Sequence, residues 1–303
     1  MDDDISKYIN LIEKISLKAY HSKPCKVKKF SSENNHVFIL IFDKKYNIGQ
    51  KILKLSKRNN SSLNNELKII IKLHKSKFPV LKVDASHETI NNINREFILM
   101  PRFGEMTLME GGNKKIKWAQ KHCLYFGEFI SFLNQLNYKS QNNAVILDQR
   151  NRIGSVKEYL KSIPDVPAFY FNAIDHVENY FKKNPTIIGH NDLGPHQVLI
   201  DKNQMVIVDW EYFGNTYEYR DLATSVAGMI IWGNNSEYAK LIIRGFNNKL
   251  PIHEKEKEII KNWFRFHFLS SSFTMHQWKK TKAVYRINQL IQKSDYENIF
   301  ENL

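Results

Sequence analysis

Apolar and polar positions follow one period in the first third of this chain and another in the rest. Lys26–Phe30 alternates as a short strand does, and His36–Phe42 and Ile48–Leu55 are dense in β-favouring residues. The polar stretches Ser31–Asn35 and Asp43–Asn47 separate these runs and predict turns, the second of them closing a hairpin. Over Ser61–Lys75 the spacing of Leu63, Leu67, Ile70, Ile71 and Leu73 becomes helical. Val80–Ala85 and Arg95–Met100 then predict two more strands. With hairpins for all but one connection, the sheet is expected to be antiparallel.

Beyond Gly104 the helical period dominates. It predicts helices over Ile116–Leu136, Val156–Lys183, Thr216–Trp232, Glu237–Asn247, and Glu254 to Ser294 with breaks. One island interrupts them between Thr186 and Asp209, where two apolar runs flank a short loop. The pattern predicts an α+β architecture of two lobes: a small antiparallel-sheet lobe over residues 1–103 and a larger helical lobe over 104–303. The seam is expected at Pro101–Gly104.

A length of 303 residues suits two cores, and a 42% hydrophobic share is that of a globular chain. No apolar run reaches bilayer-spanning length, so no membrane partner is expected. The acidic start Met1-Asp2-Asp3-Asp4 is unlike a secretory signal, and two cysteines make no disulfide framework; a cytoplasmic location is expected. The net charge of +14 raises nucleic acid as a partner. The lysines are nevertheless spread along the whole chain, and no helix gathers them on one face, so a basic surface that favours anionic nucleotides is the better reading. Oligomeric state is not legible.

The island carries the chemistry. It reads Ile-Ile-Gly-His190-Asn191-Asp192-Leu193-Gly194-Pro195-His196-Gln197-Val-Leu-Ile, and later Val-Ile-Val-Asp209-Trp210-Glu211. Phosphoryl transfer needs a group to orient the attacking hydroxyl and ligands for the metal on the phosphates. Kinase loops supply these as His-x-Asp, an amide five residues after the Asp, and a second Asp ending the next strand. The island resembles the aminoglycoside phosphotransferase and choline kinase superfamily, whose fold is protein-kinase-like. The resemblance implies Asp192 as catalytic base and Asp209, with the Trp that often follows it there, as metal ligand. Gln197 stands where the family usually has Asn. It offers the same carbonyl on a longer stem and is expected to be the second metal ligand. For His190 the resemblance implies a loop-shaping role.

Outside the island the resemblance is weaker but spans nearly the whole chain. It implies that Lys54, on the third strand, contacts the nucleotide phosphates and pairs with Glu66 on the following helix. It places Ser32 and Asn34 in a phosphate-covering turn that here lacks glycine. Met100, Pro101 and Phe103 fall at the hinge, where adenine is expected to meet the Pro101 carbonyl and the Phe103 N–H; proline has no N–H to offer. Leu124–Leu133 resembles the family's long buried helix. Tyr217–Ala223 resembles the segment after the metal aspartate, with Asp221 expected to cap or brace a helix.

The function so implied is transfer of the γ-phosphoryl group of ATP or GTP, with Mg²⁺, to a hydroxyl of a small molecule, such as an antibiotic or a sugar-bearing metabolite. Two other readings stand beside it. One is a nucleotide-binding scaffold without turnover, motivated by Gln197 and the glycine-free turn; the other is a nucleic-acid-binding protein, motivated by charge alone.

Overall fold

The computed structural model describes the chain apart from residues 1–2, 31–34, 58–61, 137–143, 184, 186, 294–295 and 301–303. Its class is α+β. The chain divides into two compact units: residues 1–104 with 206–211, and residues 105–205 with 212–303. The sequence reading placed 206–211 in the helical half. Val206 instead packs among Leu63, Leu67, Leu81, Ile98 and Met100 of the first unit, and the Ile207 N–H donates to Pro79 O at 2.7 Å.

The first unit begins with α1 (Asp3–Ser6) and α2 (Ile9–Tyr20), then β1 (Lys26–Phe30), β2 (Asn35–Ile41), β3 (Gln50–Ser56), α3 (Ser62–Lys75), β4 (Ala85–Ser86) and β5 (Phe97–Pro101). The strands form one antiparallel sheet in the order β1-β2-β3-β5-β4. Because side chains alternate along a strand, the sheet has two distinct apolar faces. Leu53, Leu55, Phe97 and Leu99 point one way and meet Ile12 and Ile15 of α2. Ile98 and Met100 point the other way and meet Leu63 and Leu67 of α3. Lys54 lies between Leu53 and Leu55 in sequence, so it emerges on the α3 face. The strand predicted over Val80–Ala85 shrinks to Ala85–Ser86. Val80 and Leu81 are buried as core filling without a strand partner of their own.

In the second unit, β6 (Met106–Thr107) leads into α4 (Leu108–Asn113), α5 (Gln120–Gln135), α6 (Ala144–Lys161) and α7 (Ala168–Phe181). Then come β7 (Ile187–Gly189), β8 (Val198–Ile200), β9 (Met205–Ile207) and β10 (Gly214–Thr216), with β9 running from the second unit into the first. The chain closes with α8 (Arg220–Ile231), α9 (Ser236–Lys249), α10 (Glu254–Gln277) and α11 (Thr281–Lys293). The single helix predicted over Val156–Lys183 is two helices. Pro164 and Pro167 break it, since proline neither donates to the preceding turn nor tolerates a helical predecessor. The helix predicted from Thr216 starts at Arg220, because Gly214–Thr216 pairs antiparallel with β7 and Tyr219 turns the chain at φ 62°. Every residue of α8 is buried, which makes it the central helix of this unit. Among the described residues no helix is long and apolar enough to cross a membrane.

Candidate active site

In the first unit the α3 face of β3 carries a buried cation. Lys54 Nζ lies 2.8 Å from Glu66 Oε1 and 2.8 Å from Asp209 Oδ1. Glu66 projects from α3 between Leu63 and Leu67, so the same stripe that packs the helix onto the sheet brings its carboxylate to Lys54. Burial works against the charge on Lys54, but Glu66 and Asp209 outweigh it and raise the ammonium pKa. Burial likewise pushes the Glu66 carboxyl up, while Lys54 pulls it back down. A pocket opens here, lined by Lys54, Glu66, Leu81, Met100, Val208 and Asp209 among others. The wall is apolar except for this ion triad, a setting in which charge interactions are strong.

Asp209 sits at φ 68°, a left-handed backbone that side chains other than glycine rarely adopt. Its side chain keeps 39% of its surface exposed, against 1% for Glu66. Glu66 thus anchors Lys54 from the buried side, and Asp209 is the more exposed carboxylate of the triad. Met100 is buried in β5 opposite Ile52, and Pro101 ends that strand opposite Lys51. Phe103 packs, half-buried, against the Met100 and Leu81 cluster. Ser32 and Asn34 lie outside the described residues.

In the second unit β7 delivers the loop that holds Asp192. His190 and Asn191 are buried, and Asn191 takes a left-handed backbone at φ 70°. Helix α8 holds this loop with successive side chains. Asp221 accepts the N–H groups of His190 (2.7 Å) and Asn191 (3.1 Å), and Ser225 donates to Leu193 O at 2.6 Å. Arg220 donates to Asn191 Oδ1 at 2.8 Å and to Asn191 O at 3.0 Å. Gly189 is needed for this: a Cβ there would collide with the Asp221 carboxylate. Gly228 likewise leaves room for the Pro195 ring.

Asp192 itself is half-buried, and its Oδ2 accepts a hydrogen bond from Gln197 Nε2 at 2.8 Å. The Gln197 carbonyl in turn accepts the Gly194 N–H at 2.9 Å. The loop thus brings Asp192 and Gln197 together, with Gln197 buried and its neighbour His196 exposed. Asp221 was expected to serve a helix; its carboxylate serves the loop. Arg220, Ser225 and the Asn191 amide were not singled out from sequence. The one signal for them was the polar residues at the start of an otherwise apolar helix. Among the described residues no group of three or more His, Cys, Asp or Glu could by itself hold a metal ion.

The model of the phosphotransferase enzyme family matches residues 26–254, a span that contains Lys54, Glu66, Asp192, Gln197 and Asp209. The chain belongs to this family. Solved structures with the same fold as this phosphotransferase include an amicoumacin kinase in complex with AMP-PNP, Ca²⁺ and Ami, at 14% identity, covering 97% of each chain with a TM-score of 0.63. An AMP-bound spectinomycin phosphotransferase matches at 12% identity, covering 97% of this chain and 98% of the other, with a TM-score of 0.68. A choline kinase from Cryptosporidium parvum matches at 14% identity and 96% coverage of both chains, with a TM-score of 0.60. A search of curated proteins gives no match.

Proposed function

We propose that this phosphotransferase moves the γ-phosphoryl group of ATP, or of GTP, to a hydroxyl of a small neutral molecule such as an antibiotic or a sugar-bearing metabolite. The observation that carries the reading is the buried Lys54 held by Glu66 and Asp209, a cation fixed in the lining of an apolar pocket. A phosphate-binding lysine needs that arrangement: one carboxylate to fix it and a second group beside it that faces the ligand. In this reading residues 1–104 with 206–211 are the nucleotide-binding lobe, with a hinge at 100–103, and residues 105–205 with 212–303 supply the catalytic loop and the acceptor site. Met100, Pro101 and Phe103 meet the adenine.

Asp192 orients the acceptor hydroxyl. The hydroxyl oxygen forms a bond to the γ-phosphorus, the bond to the β-phosphate oxygen breaks, ADP leaves, and Asp192 takes the hydroxyl proton. Lys54 holds the α- and β-phosphates. Asp209 and Gln197 would hold magnesium, each offering a hard oxygen donor of the kind that the ion prefers. The Gln197 carbonyl that accepts the Gly194 N–H has a second lone pair for this role. Magnesium, when bound, neutralises charge on the phosphates. Catalysis comes mainly from positioning and charge stabilisation.

Support for a neutral acceptor comes from residues 228–303, which hold seven Asp and Glu against twelve Lys and Arg. That balance suits a polycation poorly. The amicoumacin and spectinomycin kinases that share the fold make an antibiotic acceptor a natural first screen.

A second reading, nucleotide binding without transfer, draws on the Gln197 amide being engaged by Asp192 at one end and Gly194 at the other. A paired measurement of MgATP affinity and acceptor phosphorylation separates the two. Asp192→Asn is expected to leave affinity unchanged and lower turnover by about 10²–10⁴-fold, whereas Asp209→Asn weakens both. Full turnover in Asp192→Asn would remove the catalytic assignment. A parent that binds MgATP and phosphorylates nothing in a broad hydroxyl screen read by phosphate-mass gain would favour the scaffold.

A further inference from the structure

Arg220 is 3% exposed, and its guanidinium is spent almost entirely on one residue. Two of its nitrogens donate to the side-chain and backbone oxygens of Asn191, the residue immediately before Asp192. Its remaining partners are neutral and more distant: Gln149 Oε1 at 3.2 Å and Thr216 Oγ1 at 3.5 Å. The Asp221 carboxylate lies 3.8 Å away and is itself occupied by the His190 and Asn191 N–H groups, so the charges of Asp221 and Asp192 offset the burial of the guanidinium only in part. A buried cation in such company is a poor way to stabilise a fold, because its desolvation is compensated only in part and an apolar side chain of similar size does as well or better. Its geometry is specific instead. Asn191 holds a left-handed backbone, and its amide also donates to Tyr212 O (3.1 Å) and Asn215 O (3.2 Å). Arg220 and Asp221, adjacent on α8, therefore grip the Asn191 peptide from its acceptor side and its donor side.

We infer that Arg220 is a positioning residue for phosphoryl transfer, fixing the direction of Asp192 by clamping the Asn191 backbone and amide. The inference rests on Asp192 acting as the catalytic base. Lysine at 220 keeps the charge but cannot span two oxygens with a rigid fork, so it tests geometry apart from charge.

The experiment measures MgATP hydrolysis, with water in the acceptor's place, for the parent, Arg220→Lys, Asp192→Asn and the double variant, together with melting temperatures. Arg220→Lys is expected to lower kcat by about 10–100-fold, the scale of a small misplacement of a reacting group. Its KM for MgATP is expected to stay within about twofold, since no ground-state contact is lost. In the Asp192→Asn background the same substitution is expected to cost less than about twofold more, because two residues acting through one group are not additive. Asn191→Gly, which suits the left-handed backbone, keeps the carbonyl and removes only the side-chain half of the clamp; an intermediate kcat loss is expected. Should Arg220→Lys unfold, Asn191→Gly with and without Asp192→Asn carries the same comparison. Parent-like kcat in a folded Arg220→Lys, or a full additive loss in the double variant, overturns the positioning role alone. No effect of Asp192→Asn on the parent overturns the catalytic reading beneath it.

Discussion

Lys54, the proposed phosphate contact, is also a structural commitment. Replacing it with Met leaves Glu66, which is 0% exposed, without its cation. Losing one partner of a buried pair costs about 3–5 kcal/mol, so Lys54→Met is expected to lower the melting temperature markedly, and Lys54→Met with Glu66→Gln to recover much of the loss. A second residue-scale consequence concerns His267 on α10. Burial, with the charges of Arg220 and His196, depresses its pKa to about 3. The folded protein therefore keeps His267 neutral at a pH where the unfolded chain, titrating near 6.5, binds a proton. That contribution to stability is complete above pH 6.5 and is lost progressively as pH falls toward 3. His267 is partly exposed, which moderates the effect to about 1–2 kcal/mol between pH 6.5 and 5. Denaturant titrations at those two pH values are expected to show a smaller difference in His267→Gln than in the parent.

At the scale of elements, the tightest packing is between α5 and α9. A Cβ on Gly127 would run into Ile242 O, and one on Gly245 into Leu124 O, backbone atoms that cannot rotate away. Each glycine is therefore the condition for the other helix's approach. Gly127→Ala and Gly245→Ala are each expected to destabilise by about 1–3 kcal/mol or more, as overpacking does, in thermal melts at fixed pH. The mates β1, β2, β3 and β5, α3 and the island were legible because their period, turn residues and length agree within a local window. The helix break at Pro164 and Pro167 was legible in principle but was lost to the longer period around it. What no local window contains is the service α8 gives to a loop some thirty residues earlier. Arg220 and Asp221 read as ordinary helix-start residues until β10 pairs with β7 and sets them beside Asn191. The same holds for Gln197: its amide type was readable, whereas its bonds to Asp192 and Gly194 were not.

For the whole molecule, the +14 charge and the ion triad of Lys54 both bear on the proposed nucleotide. A ligand that binds only the folded chain raises its stability by about 2.7 kcal/mol at one hundred times its dissociation constant. MgATP is expected to raise the melting temperature in a concentration-dependent way, and ATP with a chelator to raise it less. An unshifted melt at millimolar MgATP would contradict the nucleotide-site assignment. The discontinuity of the first unit has a further consequence. Its α3-face cluster takes Val206 from far down the chain, and Lys54 takes Asp209. A ribosome that has finished residue 104 has not yet supplied either. At about 5–20 residues per second, the missing segment emerges only after a further 107 residues, 105 through 211. Birth of the Lys54 pocket is thereby deferred until the Asp192 loop has already been synthesised, and a fragment ending at Gly104 would be made with one wall of that pocket absent.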